Sequence, residues 1–340
     1  MANRFSFNDL SCRVVGAPME GGPSTPTLAA AVSNAGGLGF LAGGALSAEE
    51  LAEAIVGTRR MTTAPIGVNL FVPHSPEVTT DQLRQYAASL SGEVDRYGAA
   101  PGRPHHDSYD DWLAKVSVVC DLRPEVVSFT FGAPNARHCC RIRTAGILTL
   151  ATVTTPQEAA IALSRGVDGL VAQGPSAGGH RATFDPRAMP TDPLEDLVSA
   201  LIKMSDRPVV AAGGIATAAD VRGVRCLGAT AAQIGTALLL ADEAGTNPVH
   251  RAALTDPQFD ATVLTRCLTG RYARALRNRF VDDHEPDAIF GFPEVAGITA
   301  PVQAAAVRAG DPHGTSLFAG TAFREAMTGP AAHIVHALSL

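Results

Sequence analysis

The sequence predicts an α/β fold, a (β/α)8 TIM barrel, that carries a smaller helical lid or substrate domain. Eight short apolar runs recur along the chain, and helical segments with marked beginnings lie between them. Glycine-rich turns follow the later runs. Repeated units of strand then helix favour a closed barrel over an open doubly wound sheet.

The predicted strands are continuous apolar runs that do not alternate between apolar and polar residues. Strands buried on both faces have this pattern, as parallel strands covered by helices do. In chain order the runs are Val14 to Ala17, Leu38 to Leu41, Ile66 to Phe71, Val126 to Phe131, Ile147 to Ala151, Gly169 to Ala172, Val209 to Ala212 and Ala231 to Ile234.

The helices between these strands have recognisable ends. Three capping-box patterns mark helix starts: Ser47 with Glu50, Thr155 with Glu158, and Thr217 with Asp220. Pro26 and Pro156 occupy positions that suit a first helical residue. Gly36 and Gly146 follow helical segments and can take the positive φ that ends a helix.

Three long segments interrupt the repeat, at 73–111, 174–193 and 241 to about 310. Long loops on a compact scaffold are usually lids or binding loops. We therefore predict a barrel over 1–240 with a lid-like insertion at about 73–111, and we expect the barrel to bind the cofactor that the glycine turns described below indicate. A small helical cap domain is predicted over 241–316, and a C-terminal segment over 317–340 is expected to return to the barrel.

Composition narrows the function classes. The 340 residues are 46% hydrophobic, which is enough for a large core. The net charge of −6 comes without a basic run, so neither a nucleic-acid nor a membrane partner has electrostatic support. Without a spanning segment or signal peptide, we expect a cytoplasmic protein that acts on small molecules. Whether the chains form a homo-oligomer is left open.

The cysteines and most histidines give no sign of a metal site. The cysteines show no CxxC and no histidine spacing typical of zinc, so we predict reduced thiols without a catalytic role. They are Cys12, Cys120, Cys139, Cys140, Cys226 and Cys267. His105, His106 and Asp107 cluster in the insertion, where a solvated loop is favoured over a metal site.

Two glycine turns follow the seventh and eighth predicted strands, where many barrels bind phosphate. They contain Gly213 and Gly214 in AAGGI, and Gly235 and Thr236 in QIGTALL. Bare backbone N–H groups at a helix start attract an anion, although such glycines also make ordinary tight turns. Because no GxGxxG opens a helix after the first strand, a Rossmann site is disfavoured. FMN, with one phosphate and a flat ring, fits better than NAD.

His180 ends the segment GLVAQGPSAGGH, which runs from an apolar strand into glycines. It is the histidine that this arrangement should open into a cofactor pocket, and we predict that it is catalytic. Asn69, Gln173 and Gln233 stand at other strand ends. A buried amide there must be satisfied by backbone or by a ring edge such as that of a flavin.

A series of motifs in fixed order resembles the nitronate monooxygenase family, formerly called 2-nitropropane dioxygenase. The motifs are GAPMEGGPSTPTLAAAVSNAGGLGFLAGG, GVNLFVP, VVSFTFGAP, VAQGPSAGGHR, AAGGI, QIGTALL, TGRYARALRNRF and a final SLFAG. The resemblance covers nearly the whole chain. It implies a TIM barrel with a smaller lid domain, non-covalently bound FMN, and oxidation of alkyl nitronates, with nitroalkanes as further substrates, by O₂ to a carbonyl compound and nitrite.

The resemblance also assigns residues. The family's flavin contacts fall on Ala17, Pro18, Met19, Asn69, Gln173, Gly178, Gly213, Gly214, Gln233, Ile234, Gly235 and Thr236. Its active-site histidine falls on His180, which would orient an anionic nitronate when protonated or take an α-proton from a nitroalkane when neutral. Phe71 and Phe131, with the lid, either exclude water or simply pack in the core.

Three positions depart from the family pattern. Ser176 stands where a glutamate is common, Ala182 where a glycine is common, and Ala45 where relatives often have a tyrosine. Two alternatives therefore stay open. One is a flavin-dependent enoyl-acyl-carrier-protein reductase that uses NAD(P)H, and the other is a catalytically altered flavin-binding relative.

Overall fold

A computed structural model describes residues 4–73, 78–104 and 111–340. Eight parallel strands form one sheet whose order follows the chain, with helices between successive strands. The sheet closes where Leu38, just before the second strand, pairs with Val15 of the first. The (β/α)8 barrel that the sequence predicts is therefore confirmed.

The barrel strands begin and end close to the predicted apolar runs, and three further strands were not predicted. In chain order the strands are β1 (Val14–Gly16), β2 (Gly39–Ala42), β3 (Ile66–Phe71), β4 (Val126–Thr130), β5 (Leu148–Val153), β6 (Gly169–Gln173), β7 (Gly179–His180), β8 (Val209–Ala212), β9 (Ala231–Ile234), β10 (Thr262–Thr265) and β11 (Ala273–Leu276). Strands β10, β11 and β7 form a separate antiparallel sheet in that order.

The helices alternate with the barrel strands and then continue into the later part of the chain. They are α1 (Pro26–Asn34), α2 (Ala48–Arg59), α3 (Thr80–Ser89), α4 (Ser91–Tyr97), α5 (Trp112–Leu122), α6 (Ala136–Thr144), α7 (Pro156–Ser164), α8 (Leu194–Met204), α9 (Ala218–Cys226), α10 (Pro248–Thr255), α11 (Arg279–His284), α12 (Glu294–Arg308) and α13 (Ala331–Leu338). Short 3₁₀ helices lie at Phe7–Asp9, Thr236–Leu238, Pro312–Gly314 and Phe323–Glu325.

Local sequence signals place most helix ends correctly. Two capping boxes form as predicted, Ser47 with Glu50 and Thr217 with Asp220. The third is half wrong, because Thr155 caps α7 but the Glu158 carboxylate turns to the Thr154 and Phe184 backbone N–H groups, at 2.6 and 2.7 Å. Glu158 thus joins the start of α7 to the loop that follows β7.

The amino end of the barrel is filled by apolar side chains. Phe5, Phe7 and Leu10 precede β1 and belong to one buried cluster with Val126 and Leu148, the first residues of β4 and β5. Such a core is packed nearly as densely as a crystal and leaves no room for a ligand. Any cavity in the barrel must therefore open at the carboxyl ends of the strands.

The three segments predicted as lid, cap and C-terminal return contain helices that pack on one another or on the barrel. In the insertion, α3 packs on α12 through Leu83 and Tyr86, and α4 also contacts α12. The segment 241–316 contains α10, α11 and α12 but also β10 and β11, and α13 packs against α1 and α9. The division into domains stays a prediction. Residues 74–77 and 105–110 lie outside the described residues, and with them the His105, His106 and Asp107 cluster.

We predict that Gly39→Ala will strongly destabilise the barrel, because α1 crosses β2 too closely for a side chain. A Cβ at Gly39 would lie 1.9 Å from the Ala29 carbonyl oxygen, and backbone cannot move aside as a flexible side chain can. We expect a loss of more than about 2 kcal/mol, measured as a lower urea midpoint with an unchanged slope.

Gly57→Ala is the matched control, since Gly57 lies inside α2 and its Cβ would meet only Pro26, at 4.0 Å. That substitution should raise the stability by about 1 kcal/mol through helix propensity. A Gly39→Ala protein as stable as Gly57→Ala would contradict the close packing of α1 on β2.

Candidate active site

A cavity of about 380 Å³ opens at the carboxyl ends of the barrel strands. This is the end of a (β/α)8 barrel at which active sites are built. His180 and every predicted flavin contact except Ile234 line it, namely Ala17, Pro18, Met19, Asn69, Gln173, Gly178, Gly213, Gly214, Gln233, Gly235 and Thr236. The structure thus brings together residues from strands that are far apart in the sequence.

Ile234 is the exception, and strand alternation explains it. Side chains along β9 point to opposite sides, so Gln233 faces the cavity while Ile234 packs in the apolar layer between strands and helices. The Ile234 side chain is fully buried, and its carbonyl oxygen accepts a hydrogen bond from the Ala17 N–H at 2.8 Å. The side chain of Ile234 therefore does not line the cavity.

The turns after β8 and β9 present unpaired backbone donors to this cavity. Gly213 and Gly214 have φ of +111° and +76°, a conformation that glycine adopts without strain. Their N–H groups and those of Gly235 and Thr236 have no hydrogen-bond partner within the described parts of the chain. Four such donors around one space form a site for an anion.

The third glycine turn is fixed from two sides. A Cβ at Gly178 would lie 2.4 Å from the Gly320 N–H nitrogen, so only glycine allows the C-terminal SLFAG run to pass this closely. The Ser176 carbonyl accepts a hydrogen bond from the Thr321 N–H at 3.1 Å. On the other side, β7 pairs with β11, with His180 opposite Ala273. His180 is thus held on a strand rather than on a free loop.

Gln173 completes this arrangement at the end of β6. Its side-chain amide donates to the His180 carbonyl at 3.0 Å and accepts from the Ala182 N–H at 2.9 Å. Both ends of the amide are therefore used by backbone. Asn69 donates through Nδ2 to Ser128 and Thr130, both at 2.9 Å. The Oδ1 of Asn69 and the Gln233 amide make no hydrogen bond among the described residues, so these two groups are available to a ligand.

The His180 ring is oriented by Thr269, a residue that the sequence analysis did not single out. The His180 Nε2 lies 2.9 Å from the Thr269 Oγ1, and that hydroxyl donates to the Arg271 carbonyl at 3.2 Å. Because the hydroxyl proton is committed to the carbonyl, we assign the proton of the imidazole to Nε2. Nδ1 is then the acceptor atom of the neutral ring.

Burial and, second, the nearby Arg271 charge lower the pKa of His180 to about 3. Three aromatic rings surround the imidazole: Phe292, Phe318 and Phe131, with centroids at 5.0, 5.7 and 5.8 Å. The ring is therefore neutral at physiological pH. A neutral ring cannot be the charged anchor, and it is in the protonation state that the proton-acceptor role requires.

Phe71 and Phe131 both line the cavity, with ring centroids 4.6 Å apart. Phe131 has a φ of +70°, which a bulky residue rarely adopts. The Arg271 guanidinium lies over its ring, 4.0 Å from the centroid. The two rings form part of the cavity wall and also pack against each other. These contacts therefore support both predicted roles, the exclusion of water and packing in the core.

Phe292 and Phe318 also line the cavity. The sequence analysis missed them because they lie in segments without the periodicity of a strand or a helix. Phe318 falls within the SLFAG run, which belongs to the family resemblance, but the resemblance assigned no residue of that run to the site. Of the departures from the family pattern, Ala45 and Ala182 line the cavity, whereas the Ser176 side chain lies beside Gly214, as a Cβ there would meet it at 2.9 Å.

The six cysteines are unbridged. Within residues 4–73, 78–104 and 111–340, no group of three or more histidine, cysteine, aspartate or glutamate side chains is arranged to hold a metal ion. None of the helices in the same residues is long and apolar enough to cross a membrane.

The fold and the position of His180 define a class, a (β/α)8-barrel enzyme whose site lies at the carboxyl ends of the strands. A family model described as "Nitronate monooxygenase" matches residues 8–340. The chain belongs to the nitronate monooxygenase family. It is an oxidoreductase, and its family is one of flavoenzymes.

Comparisons with individual proteins agree. The nitronate monooxygenase of Paraburkholderia phytofirmans is 37% identical over 95% of this chain and 90% of its own length. The crystal structure of nitroalkane oxidase from Streptomyces ansochromogenes is 42% identical, with a TM-score of 0.92 over 97% of this chain and 95% of its own. FabK from Thermotoga maritima is less similar, 26% identical with a TM-score of 0.74 over 98% and 93% of the two chains.

We predict that the His180 ring stays neutral from about pH 8 to about pH 5, because the pKa of about 3 lies below that range. In ¹⁵N-histidine NMR spectra, one ring should keep the Nε2-protonated pattern throughout. The signal that disappears in His180→Asn identifies this ring. A midpoint near pH 6.5 for that signal would show that the apolar wall does not desolvate the imidazole.

Proposed function

We propose that the protein binds FMN and oxidises alkyl nitronates, and nitroalkanes after deprotonation, with O₂ to a carbonyl compound and nitrite. One observation carries the proposal. The unpaired N–H groups of the turns after β8 and β9 open onto the same cavity as the neutral imidazole of His180. An anion-binding end and a proton acceptor in one cavity suit a phosphate-bearing cofactor beside a small nitro compound.

The residues present fit FMN. The N–H groups of Gly213, Gly214, Gly235 and Thr236 would hold its phosphate. The free Oδ1 of Asn69 on β3 and the free Gln233 amide on β9 would serve the polar edge of the ring, with the backbone of Ala17–Met19 beside it. When bound, the flavin supplies an acceptor for substrate electrons, which O₂ removes in turn.

Side chains of this protein accept the substrate proton and exclude water from the site. Nδ1 of His180 accepts the α-proton of a nitroalkane, and Nε2–H remains bonded to Thr269 so that the ring keeps its orientation. Phe131, Phe292 and Phe318 enclose the imidazole and keep water from the acidic C–H bond. A nitronate has already lost this proton and needs only to be positioned.

We expect the purified protein to be yellow and to release FMN, rather than FAD, when it is denatured. The four unpaired N–H donors belong to two turns that line one cavity, which suits a single phosphate. Chromatography of the released flavin makes the measurement, and anaerobic mixing with nitronate or with NADPH separates the two candidate reactions. Rapid bleaching by NADPH with none by nitronate would favour the enoyl-acyl-carrier-protein reductase alternative.

We predict that His180→Asn retains FMN but lowers kcat/KM for neutral nitroalkanes about 100-fold or more, the usual contribution of a general base. The loss for pre-formed nitronates should be smaller, because their oxidation needs no base. Steady-state rates of oxygen consumption with both forms of one substrate measure the difference. Equal rates in the variant and the native protein would remove His180 from the mechanism.

Thr269→Val should act through His180, because it removes the acceptor of the Nε2–H bond and frees the choice of tautomer. We expect about a tenfold loss in kcat with nitroalkanes. Thr269→Ser, which keeps the hydroxyl, is the matched control and should restore the rate. If Val and Ser variants behave alike, Thr269 contributes only shape.

A further inference from the structure

A second ionisable group lines the cavity and has no part in the chemistry described above. Glu20 follows the Ala17–Met19 turn after β1 and borders the same cavity as His180. Ala45 also lines the cavity, is exposed, and donates its N–H to the Glu20 carboxyl group, so the end of the cavity that Glu20 borders is its mouth.

The Glu20 carboxyl group is held in place by backbone. Oε1 accepts hydrogen bonds from the N–H groups of Gly44 and Ala45, at 2.8 and 3.3 Å. Oε2 has no hydrogen-bond partner among the described residues, yet it is not one of the buried polar atoms sealed from solvent. The free oxygen therefore opens into accessible space, and the space that Glu20 lines is the cavity.

The charges around Glu20 leave it as the acidic group of the cavity mouth. Lys115 of α5 is buried and donates through Nζ to the Gly44 carbonyl at 2.8 Å, which places one positive charge behind the carboxyl group. Asp111 and Glu50 lie beyond Lys115, bonded to the backbone N–H groups of Ala48 and Ser47. His180 and His250, which also line the cavity, are neutral, because burial lowers their pKa values to about 3 and about 4.

Burial raises the pKa of Glu20 to about 7, although the two N–H bonds and the Lys115 charge oppose it. Unlike a surface glutamate, which is ionised throughout the neutral range, this group changes its charge there. Below pH 7 the neutral carboxyl can donate a hydrogen bond from its free oxygen, and above pH 7 the carboxylate can only accept.

We propose that Glu20 is a specificity-determining residue that makes the cavity select against nitronates carrying a second negative charge. This inference rests on the proposed function. A nitronate with a carboxylate on its far end would bring that charge towards the free oxygen of Glu20 when the nitronate end is at His180. Between two carboxylates in a partly desolvated space the repulsion is stronger than in water. A monoanionic alkyl nitronate has no such second charge.

The experiment compares propionate 3-nitronate, a dianion, with propyl 1-nitronate, a monoanion of similar size. The ratio of their kcat/KM values cancels effects of pH on the flavin and on His180. In the native protein we expect the ratio of dianion to monoanion to fall about tenfold from pH 6 to pH 8.5. In Glu20→Gln, whose amide oxygen can still accept from Gly44 and Ala45, the ratio should stay constant and exceed the native ratio at pH 8.5.

Glu49→Gln is the control, because Glu49 is exposed on α2 and should leave the ratio as in the native protein. A readout independent of turnover is the Kd ratio of succinate to butyrate, measured by calorimetry over the same pH range. A ratio unaffected by pH and by Glu20→Gln in both measurements overturns the role of Glu20. Failure of the native protein to oxidise either nitronate overturns the proposed function instead, and the calorimetric ratio still decides on Glu20.

Discussion

The pairing of β7 with β11 is the interaction on which the site depends. Residues 174–183 contain three glycines and alone would sample many conformations. Pairing Gly179 and His180 with Arg274 and Ala273 fixes the imidazole above the barrel. The pairing is supported by arginines, since the Arg274 guanidinium donates to the Pro175 carbonyl at 3.0 and 3.1 Å and Arg271 to that of Thr183. The TGRYAR motif therefore builds the site from outside the barrel.

This arrangement determines the chemistry available to the histidine. Arg181 and Arg271 are fully buried, and their hydrogen bonds to carbonyl oxygens, such as that of Arg181 to Gly174 at 2.6 Å, offset part of the cost of burying charge. A positive group so close to His180 disfavours a second positive charge on the ring. Burial is the main cause of the lowered pKa of His180, and the arginine that fixes the strand adds to it, so the structural and chemical roles of Arg271 cannot be changed separately.

The barrel could be predicted from sequence because each of its strands is a local apolar run, and several of the helices between them begin at a capping residue. The separate sheet could not, since β7 has two residues and its partner is about ninety positions away. Ile234 was placed at the site because a motif does not state which side of a strand each residue faces. Thr269 and Phe292 were missed for a related reason, as their importance lies only in their distance from His180.

The two parts of the cavity differ in how many contacts hold their residues in place. The deep end, with His180 and the aromatic wall, consists of residues whose contacts are so numerous that a change in one moves several others. The mouth, with Glu20 and Ala45, touches the rest of the site through two backbone N–H groups. Because few contacts depend on the mouth, its charge and size can change while the imidazole and the anion-binding turns stay fixed. A substitution at Glu20 or Ala45 should therefore change which substrates are accepted without rearranging the residues around His180.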